Sequence, residues 1–172
     1  MTEASGLPAR DPGGDPTDRI VAFLRGIGLD VREGDVGAAP FLPGLRIEAG
    51  ALVFDRERLT WPGDLLHEAG HLAVTPAARR ALQSEALDDD AMGEFEATAW
   101  AYAATVAIGL DPAVLFHEGG YHGRSAALIT TYSFGVYPGV QGLVAMGLAV
   151  PGDVARAQGL APYPVMRRWL RE

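Results

Sequence analysis

The chain has 172 residues, no cysteine and a formal net charge of −8, a composition that favours one domain with a sizeable core. The lack of cysteine excludes disulfides and thiolate metal ligands, and an acidic chain without an evident basic face does not suit a nucleic-acid partner. No apolar run is long enough to cross a membrane and no signal-peptide pattern is present, so we expect a cytoplasmic protein without a membrane partner.

The N-terminal region is rich in residues that break regular structure. Prolines and glycines with little apolar surface predict a disordered tail over residues 1–16, followed by a single domain over residues 17–172. A helix is predicted from Asp15-Pro16 to about Gly26, and a short strand over residues 29–32.

Residues 67–71 have the sequence His-Glu-Ala-Gly-His, which is the HExxH pattern. On a helix this pattern places His67 and His71 on one face, where two imidazoles can hold one Zn²⁺. Glu68 would lie beside the metal and could take a proton from metal-bound water. The flanking residues are apolar and predict a buried helix, in which these polar groups would be costly without a metal to satisfy them.

Threonine and proline mark the ends of the HExxH helix. The segment 60–64, Thr-Trp-Pro-Gly-Asp, predicts a start with a capping hydroxyl, a first-turn proline and an acid that suits the helix dipole. Thr75-Pro76 predicts its end and the cap of a second helix, from Pro76 to about Leu87. The HExxH motif therefore falls in the middle of its helix.

The third metal ligand must come from another part of the chain. A metzincin would carry Gly and His where this chain has Val74 and Ala77, and a deformylase-type site would need cysteine. The remaining common solution is a glutamate from a later helix. A long helix is predicted to open at Glu94 and to run to about Leu110.

Two glutamates on that helix compete for the role of third ligand. Glu94 and Glu96 lie about 200° apart around the helix axis, so only one of them can face the metal. Glu94 is favoured because the small residues Ala97, Thr98 and Ala101 share its face and would let the HExxH helix approach. For Glu96 we prefer the ordinary role of a first-turn acid that stabilises the helix dipole.

His67 to His71, followed by Glu94-x-x-Ala97-x-x-Trp100-Ala101, resembles the ImmA/IrrE-type zinc metallopeptidases. The pattern of that family is HExxH and then a helix with E-x-x-A-[ND]-x-[FW]-A; here Thr98 stands in place of the Asn or Asp. The resemblance implies that His67, His71 and Glu94 bind the metal and that Glu68 is the catalytic glutamate. Those enzymes cut specific repressor proteins in bacteria.

The resemblance also implies a fold. It would be α+β, mostly helical and zincin-like, with a small antiparallel sheet before the HExxH helix. Residues Leu45 to Glu48 and Ala51 to Phe54 could pair as the hairpin of that sheet, across Ala49-Gly50.

The second half of the chain is predicted to consist of helices connected by turns that contain glycine. A short helix should follow Asp111-Pro112, and longer ones should cover residues 123–134 and 138–148, with a terminal helix over residues 163–170. The loop 116–123 contains the two remaining histidines and a tyrosine. His117, Tyr121 or His122 could donate a hydrogen bond to an oxyanion, but a plain surface turn fits equally well.

These patterns predict a zinc-dependent hydrolase, in first place a metallopeptidase acting on a protein or peptide. Zn²⁺ would be held by His67, His71 and Glu94, and Glu68 would act as the general base. Two alternatives stay open: an interaction protein that a metal stabilises without catalysis, and a zinc hydrolase of a small amide.

Overall fold

The computed structural model describes residues 14–38, 42–84 and 91–172. Within these ranges the fold is α+β, with a small sheet followed by a mainly helical body. The helices are α1 (Pro16–Gly26), α2 (Gly63–Val74), α3 (Ala77–Arg80), α4 (Ala91–Ile108), α5 (Pro112–Leu115), α6 (Ser125–Ser133), α7 (Val140–Ala145) and α8 (Gly152–Gln158), and the strands are β1 (Val31–Glu33), β2 (Leu45–Glu48) and β3 (Ala51–Phe54). Of the tail predicted over residues 1–16, residues 1–13 lie outside the described residues, and Pro16 belongs to α1.

The sheet has three strands in the order β1-β3-β2. Strands β2 and β3 form the predicted antiparallel hairpin, with Glu48 opposite Ala51, and the turn residues Ala49 and Gly50 both have positive φ. Strand β1 runs parallel to β3, so the prediction of an antiparallel sheet is wrong for this strand. All four residues of β3 are buried, so both faces of this central strand are covered.

Helices α2 and α4 form the centre of the helical body. The apolar residues that flank the HExxH motif, Leu65, Leu66 and Leu72, are fully buried, as the sequence predicted. Trp100 of α4 is also fully buried, and α1 adds Ile20 and Leu24 to the same core. In the part of the chain that the structure describes, no helix combines the length and apolar character required to cross a membrane.

The start of α2 differs from the prediction. Pro62 occupies the N-cap position and no side chain caps the helix, so Thr60 does not supply the expected hydroxyl. The helix ends at Val74 as predicted, but the Thr75 hydroxyl donates to the His71 carbonyl, 2.8 Å away, and does not cap α3.

The helix predicted from Pro76 to Leu87 is wrong over its described part, because α3 ends at Arg80. The chain then docks on the β2–β3 turn, where the Gly50 amide donates to the Gln83 carbonyl at 2.9 Å. Residues 85–87 of this prediction lie outside the described ranges. A tertiary contact has replaced local helix formation here.

The other helices of the second half follow the prediction in part. Helices α4, α5 and α6 match their predicted segments within about three residues, whereas α7 is shorter than residues 138–148. The predicted helix over residues 163–170 is wrong, since these residues form turns and bends, and α8 was not predicted. The C-terminal segment instead docks on the body, where the Trp169 carbonyl accepts from Trp100 Nε1 at 2.8 Å.

Candidate metal centre

Helix α2 presents His67 and His71 on one face, with their Nε2 atoms 3.2 Å apart. The opposite face carries the leucines that fix α2 in the core. Because the two histidines are one helical turn apart, both rings lean toward the same point beside α4. Both side chains are mostly buried, with exposed fractions of 17% and 15%.

Glu94 of α4 completes a three-residue group. Its Oε1 lies 3.0 Å from His67 Nε2, and its Oε2 lies 3.0 Å from His71 Nε2. Among the described residues, His67, His71 and Glu94 therefore form a group that could hold a metal ion. All three ligands predicted from the sequence are brought together.

The spacing of these donor atoms can be compared with that of a metal site. Ligands about 2.0–2.1 Å from a tetrahedral Zn²⁺ are separated from each other by roughly 3.3 Å. The two Nε2 atoms are 3.2 Å apart and each lies 3.0 Å from a different oxygen of Glu94, so small movements of the side chains would bring both nitrogens and one oxygen to this spacing. Two imidazoles and one carboxylate are also an ordinary donor set for zinc. The residues present fit the ion.

A close approach of the two helices makes this geometry possible. A methyl group on Gly70 would lie 2.5 Å from the carbonyl oxygen of Ala97, so the α2 backbone rests directly on α4 at this point. Ala97 is on the Glu94 face of α4, as the sequence predicted. Only glycine at position 70 allows the contact, and it brings Glu94 within reach of both histidines.

The electrostatics of the metal-free group follow from these contacts. Hydrogen bonds with His67 and His71 hold the pKa of Glu94 far below its usual range, so it is a carboxylate at neutral pH. Burial lowers the pKa of His67, but its hydrogen bond with Glu94 and the negative charge outweigh this, and the net pKa is raised. In the metal-free protein the carboxylate of Glu94 thus favours a proton on His67.

Glu68 is buried next to the group but is not one of its members. The residue is 8% exposed, and burial raises its pKa above the usual value for a glutamate. The positive charges of His67 and His71, when protonated, oppose this shift in the pKa of Glu68. A buried carboxylate of raised pKa is a better proton acceptor than an exposed one.

Glu96 points away from the group. It packs against α7, where a methyl group on Gly142 would lie 2.0 Å from Glu96 Oε1. The prediction of an ordinary first-turn acid is wrong, because Glu96 is 5% exposed and α4 begins five residues earlier, at Ala91. Of the two competing acids, Glu94 is the one that meets the histidines.

The glycine-rich loop 116–123 lies against α2 through two of the residues considered from the sequence. The His117 ring donates from Nε2 to Asp64 Oδ1 at 2.9 Å and stacks on Trp61. The Tyr121 hydroxyl lies 3.5 Å from His67 Nδ1, whereas His122 is exposed. Sequence reasoning assigned Asp64 only to the helix dipole and did not identify its pairing with a histidine 53 residues later.

Comparison of the chain with protein-family models, curated proteins and solved structures gives no match. The resemblance to ImmA/IrrE-type peptidases therefore stays a prediction. What supports a functional interpretation is the geometry of the residues themselves.

Proposed function

We propose that this protein is a zinc-dependent hydrolase, and more narrowly a metallopeptidase, in which His67, His71 and Glu94 hold the ion. The observation that carries the proposal is the convergence of two Nε2 atoms and one carboxylate, all within 3.0–3.2 Å of one another. When zinc is bound at such a site, it lowers the pKa of bound water and polarises a carbonyl group.

The exposure of the group favours a catalytic site over a structural one. Structural zinc sites are closed by four protein ligands, whereas catalytic sites use three and leave one position for water or substrate. Among the described residues the group has three members. The Glu94 side chain is 51% exposed, so solvent reaches the group from the α4 side.

Glu68 supplies the acid–base chemistry in this proposal. Its carboxylate accepts a proton from water as the water attacks the substrate carbonyl, and returns that proton to the leaving amine. The carboxylate is mostly buried, which shields the transferred proton from bulk water between the two steps. Its burial on α2 fixes its position relative to His67 and His71.

The sheet offers a feature that suits an extended peptide substrate. Strand β2 stands at the edge of the described sheet, because β3 lies between it and β1. The outward-facing amide and carbonyl groups of an edge strand can bind a peptide as an additional strand. This is why we propose a peptide as the substrate ahead of a small amide.

The metal site is tested by zinc analysis of the purified protein beside two matched variants, Glu94→Gln and Glu96→Gln. Each variant replaces one carboxylate of α4 with an amide. We expect wild type and Glu96→Gln to bind one equivalent of zinc, and Glu94→Gln to lose most of it. Zinc that is lost in Glu96→Gln and kept in Glu94→Gln would contradict the ligand assignment.

Catalysis is tested separately with Glu68→Gln and a mixture of unstructured peptides, whose cleavage is followed by mass spectrometry. We expect Glu68→Gln to keep its zinc and to lose about 10²- to 10⁴-fold in rate, the usual contribution of a general base. A zinc-loaded wild type that cleaves no peptide, or a Glu68→Gln variant as fast as wild type, would refute the peptidase proposal.

A further inference from the structure

The outer nitrogen of His67 faces a tyrosine from a distant part of the chain. His67 Nε2 points to Glu94 and His71, so Nδ1 lies on the far side of the ring, where the Tyr121 hydroxyl is 3.5 Å away. The two rings meet edge to face, with their centroids 5.8 Å apart. The hydroxyl therefore lies behind the His67 ring and not beside the three donor atoms.

The backbone around Tyr121 is held in an uncommon conformation. Tyr121 and His122 have φ values of +55° and +51°, and Gly123 follows at +75°. Non-glycine residues in the left-handed region are strained, and such strain persists only where the surroundings enforce it. Something must hold this turn against α2.

Three contacts of His117 hold the loop in place. Its ring donates to Asp64 in the first turn of α2, and its carbonyl accepts from Ser125 Oγ at the start of α6. Trp61, just before α2, stacks on the His117 ring with an interplanar angle of 9°. His117 is 6% exposed, so these contacts are shielded from water.

Asp64 and His67 are three residues apart and lie on the same face of α2. The loop thus contacts α2 at Asp64 through His117, and one turn further along, at His67, through Tyr121. The same loop therefore connects the Asp64–His117 pair, hereafter the clasp, to the ring of His67.

We propose that Tyr121 is a positioning residue that accepts a hydrogen bond from His67 Nδ1–H, and that the Asp64–His117 pair holds it there. A neutral imidazole that binds a metal through Nε2 must carry its proton on Nδ1, and a fixed acceptor for that proton sets both the tautomer and the ring orientation. Such outer partners of metal-binding histidines commonly change metal affinity by about 10- to 100-fold. The inference rests on the proposed function, since it assigns a role around the same metal.

The first test compares Tyr121→Phe with Tyr163→Phe. Both changes remove one hydroxyl from a mostly buried tyrosine, but the Tyr163 hydroxyl donates to the Ala99 carbonyl at 2.8 Å and touches none of the three donors. Zinc affinity is measured by competition with a chelating indicator, and the metal-free unfolding midpoint by circular dichroism. We expect Tyr121→Phe to weaken zinc binding about 10- to 100-fold with little change in the unfolding midpoint. Tyr163→Phe should lower the unfolding midpoint and leave the zinc affinity unchanged.

A spectroscopic readout separates positioning from simple packing. In zinc-loaded wild type, nitrogen-15 NMR of the histidine rings should show His67 protonated at Nδ1, with slow exchange of that proton. In Tyr121→Phe the exchange should become fast. Equal zinc affinity and equal exchange in the two proteins would overturn this inference and leave the peptidase proposal standing. A wild-type protein that binds no zinc would refute both the inference about Tyr121 and the peptidase proposal.

The role of the clasp is tested by Asp64→Ala and Asp64→Asn, alone and combined with Tyr121→Phe. Asparagine can still accept from His117 Nε2–H, so Asp64→Asn should keep most of the zinc affinity. Asp64→Ala should weaken zinc binding by up to the roughly 10- to 100-fold expected of Tyr121→Phe. If the clasp acts through Tyr121, Asp64→Ala should have little further effect in the Tyr121→Phe background. Additive effects would show that Asp64 acts independently of Tyr121 and would overturn the clasp.

Discussion

Gly70 is the residue on which the distance between the two central helices depends. It stands between Glu68 and His71, and its missing side chain lets α2 rest on the Ala97 carbonyl. Any larger residue must push α4 away, and Glu94 moves with α4. A residue without chemical function thus controls the separation of the groups that would bind the metal.

We predict that Gly70→Ala weakens zinc binding and lowers the free energy of unfolding by about 1–3 kcal/mol, the usual cost of overpacking a core. The reason is the 2.5 Å distance between the new methyl group and the Ala97 carbonyl oxygen. Urea unfolding of the metal-free protein and zinc titration measure the two effects.

The control for this change is Gly26→Ala at the end of α1, where a new methyl group would have no neighbour within 4 Å. It should leave zinc affinity unchanged and should not destabilise the protein, because alanine has the higher helix propensity. A Gly70→Ala variant as stable as Gly26→Ala, with unchanged zinc affinity, would show that the close approach is dispensable.

At this scale the sequence predicted the polar residues of the site but not all of their neighbours. His67, Glu68 and His71 could be identified because one short motif fixes their spacing on a helix, and Glu94 because small residues share its face. The buried position of Glu96 could not be foreseen, since it depends on α7 packing over it through Gly142. The pairing of His117 with Asp64 could not be foreseen either, because the two residues are 53 positions apart in the sequence.

At the scale of elements, the C-terminal end of α2 shows how a buried helix satisfies its last carbonyl groups. The final four carbonyls of a helix have no partner within it. Here Thr75 donates to His71, Arg80 Nε donates to Leu72 at 2.8 Å, and Arg171 donates to Ala73 and Val74. The end of the helix that carries His67 and His71 is therefore fixed by side chains and backbone from two other segments.

We predict that Arg80→Ala lowers the free energy of unfolding by about 2 kcal/mol or more, because it leaves three acceptors without their donor. Besides Leu72, the Arg80 guanidinium serves the carbonyls of Thr75 and Arg171, at 3.1 and 2.6 Å. Arg80→Lys should recover only part of the loss, since a single ammonium cannot reproduce the planar fork of donors. Chemical denaturation measures all three proteins.

The matched control is Arg32→Ala, which removes an arginine whose side chain is 62% exposed and pairs with Asp30. An exposed ion pair of this kind contributes roughly 0–1 kcal/mol. If Arg80→Ala proves no more costly than Arg32→Ala, the end of α2 does not depend on the guanidinium.

The elements that the sequence predicted well are those whose pattern is local. The hairpin around Ala49-Gly50 and the helix capped by Asp111 appear where their turn and cap residues placed them. The failures, at residues 76–84 and 163–170, fall where the chain forms tertiary hydrogen bonds to the hairpin turn or to Trp100 in place of a helix. Helix propensity cannot reveal such competition, because the competing partner is distant in sequence.

At the scale of the whole molecule, the site depends on segments that meet only in the folded chain. The three donors come from α2 and α4. The clasp joins α2 to the loop before α6, and the C-terminal segment supplies hydrogen bonds to the end of α2. The unfolded chain cannot hold these groups together, so an ion that binds them binds the native state preferentially. Metal binding and folding are then thermodynamically coupled.

We therefore predict that zinc raises the unfolding midpoint and that a chelator reverses the increase. At a free zinc concentration 100 times the dissociation constant, the added stability is about 2.7 kcal/mol. For a chain of this size that corresponds to a rise of roughly 5–11 °C. Thermal unfolding is followed by circular dichroism with zinc, without zinc, and after addition of the chelator.

His71→Ala is the variant that decides whether this rise comes from the proposed centre. It removes one donor of the three and should unfold at the same temperature with and without zinc. Glu68→Gln keeps all three donors, so its midpoint should still rise with zinc although its turnover is lost. A rise of equal size in His71→Ala would mean that zinc binds the folded protein elsewhere, and the assignment of the centre to α2 and α4 would have to be abandoned.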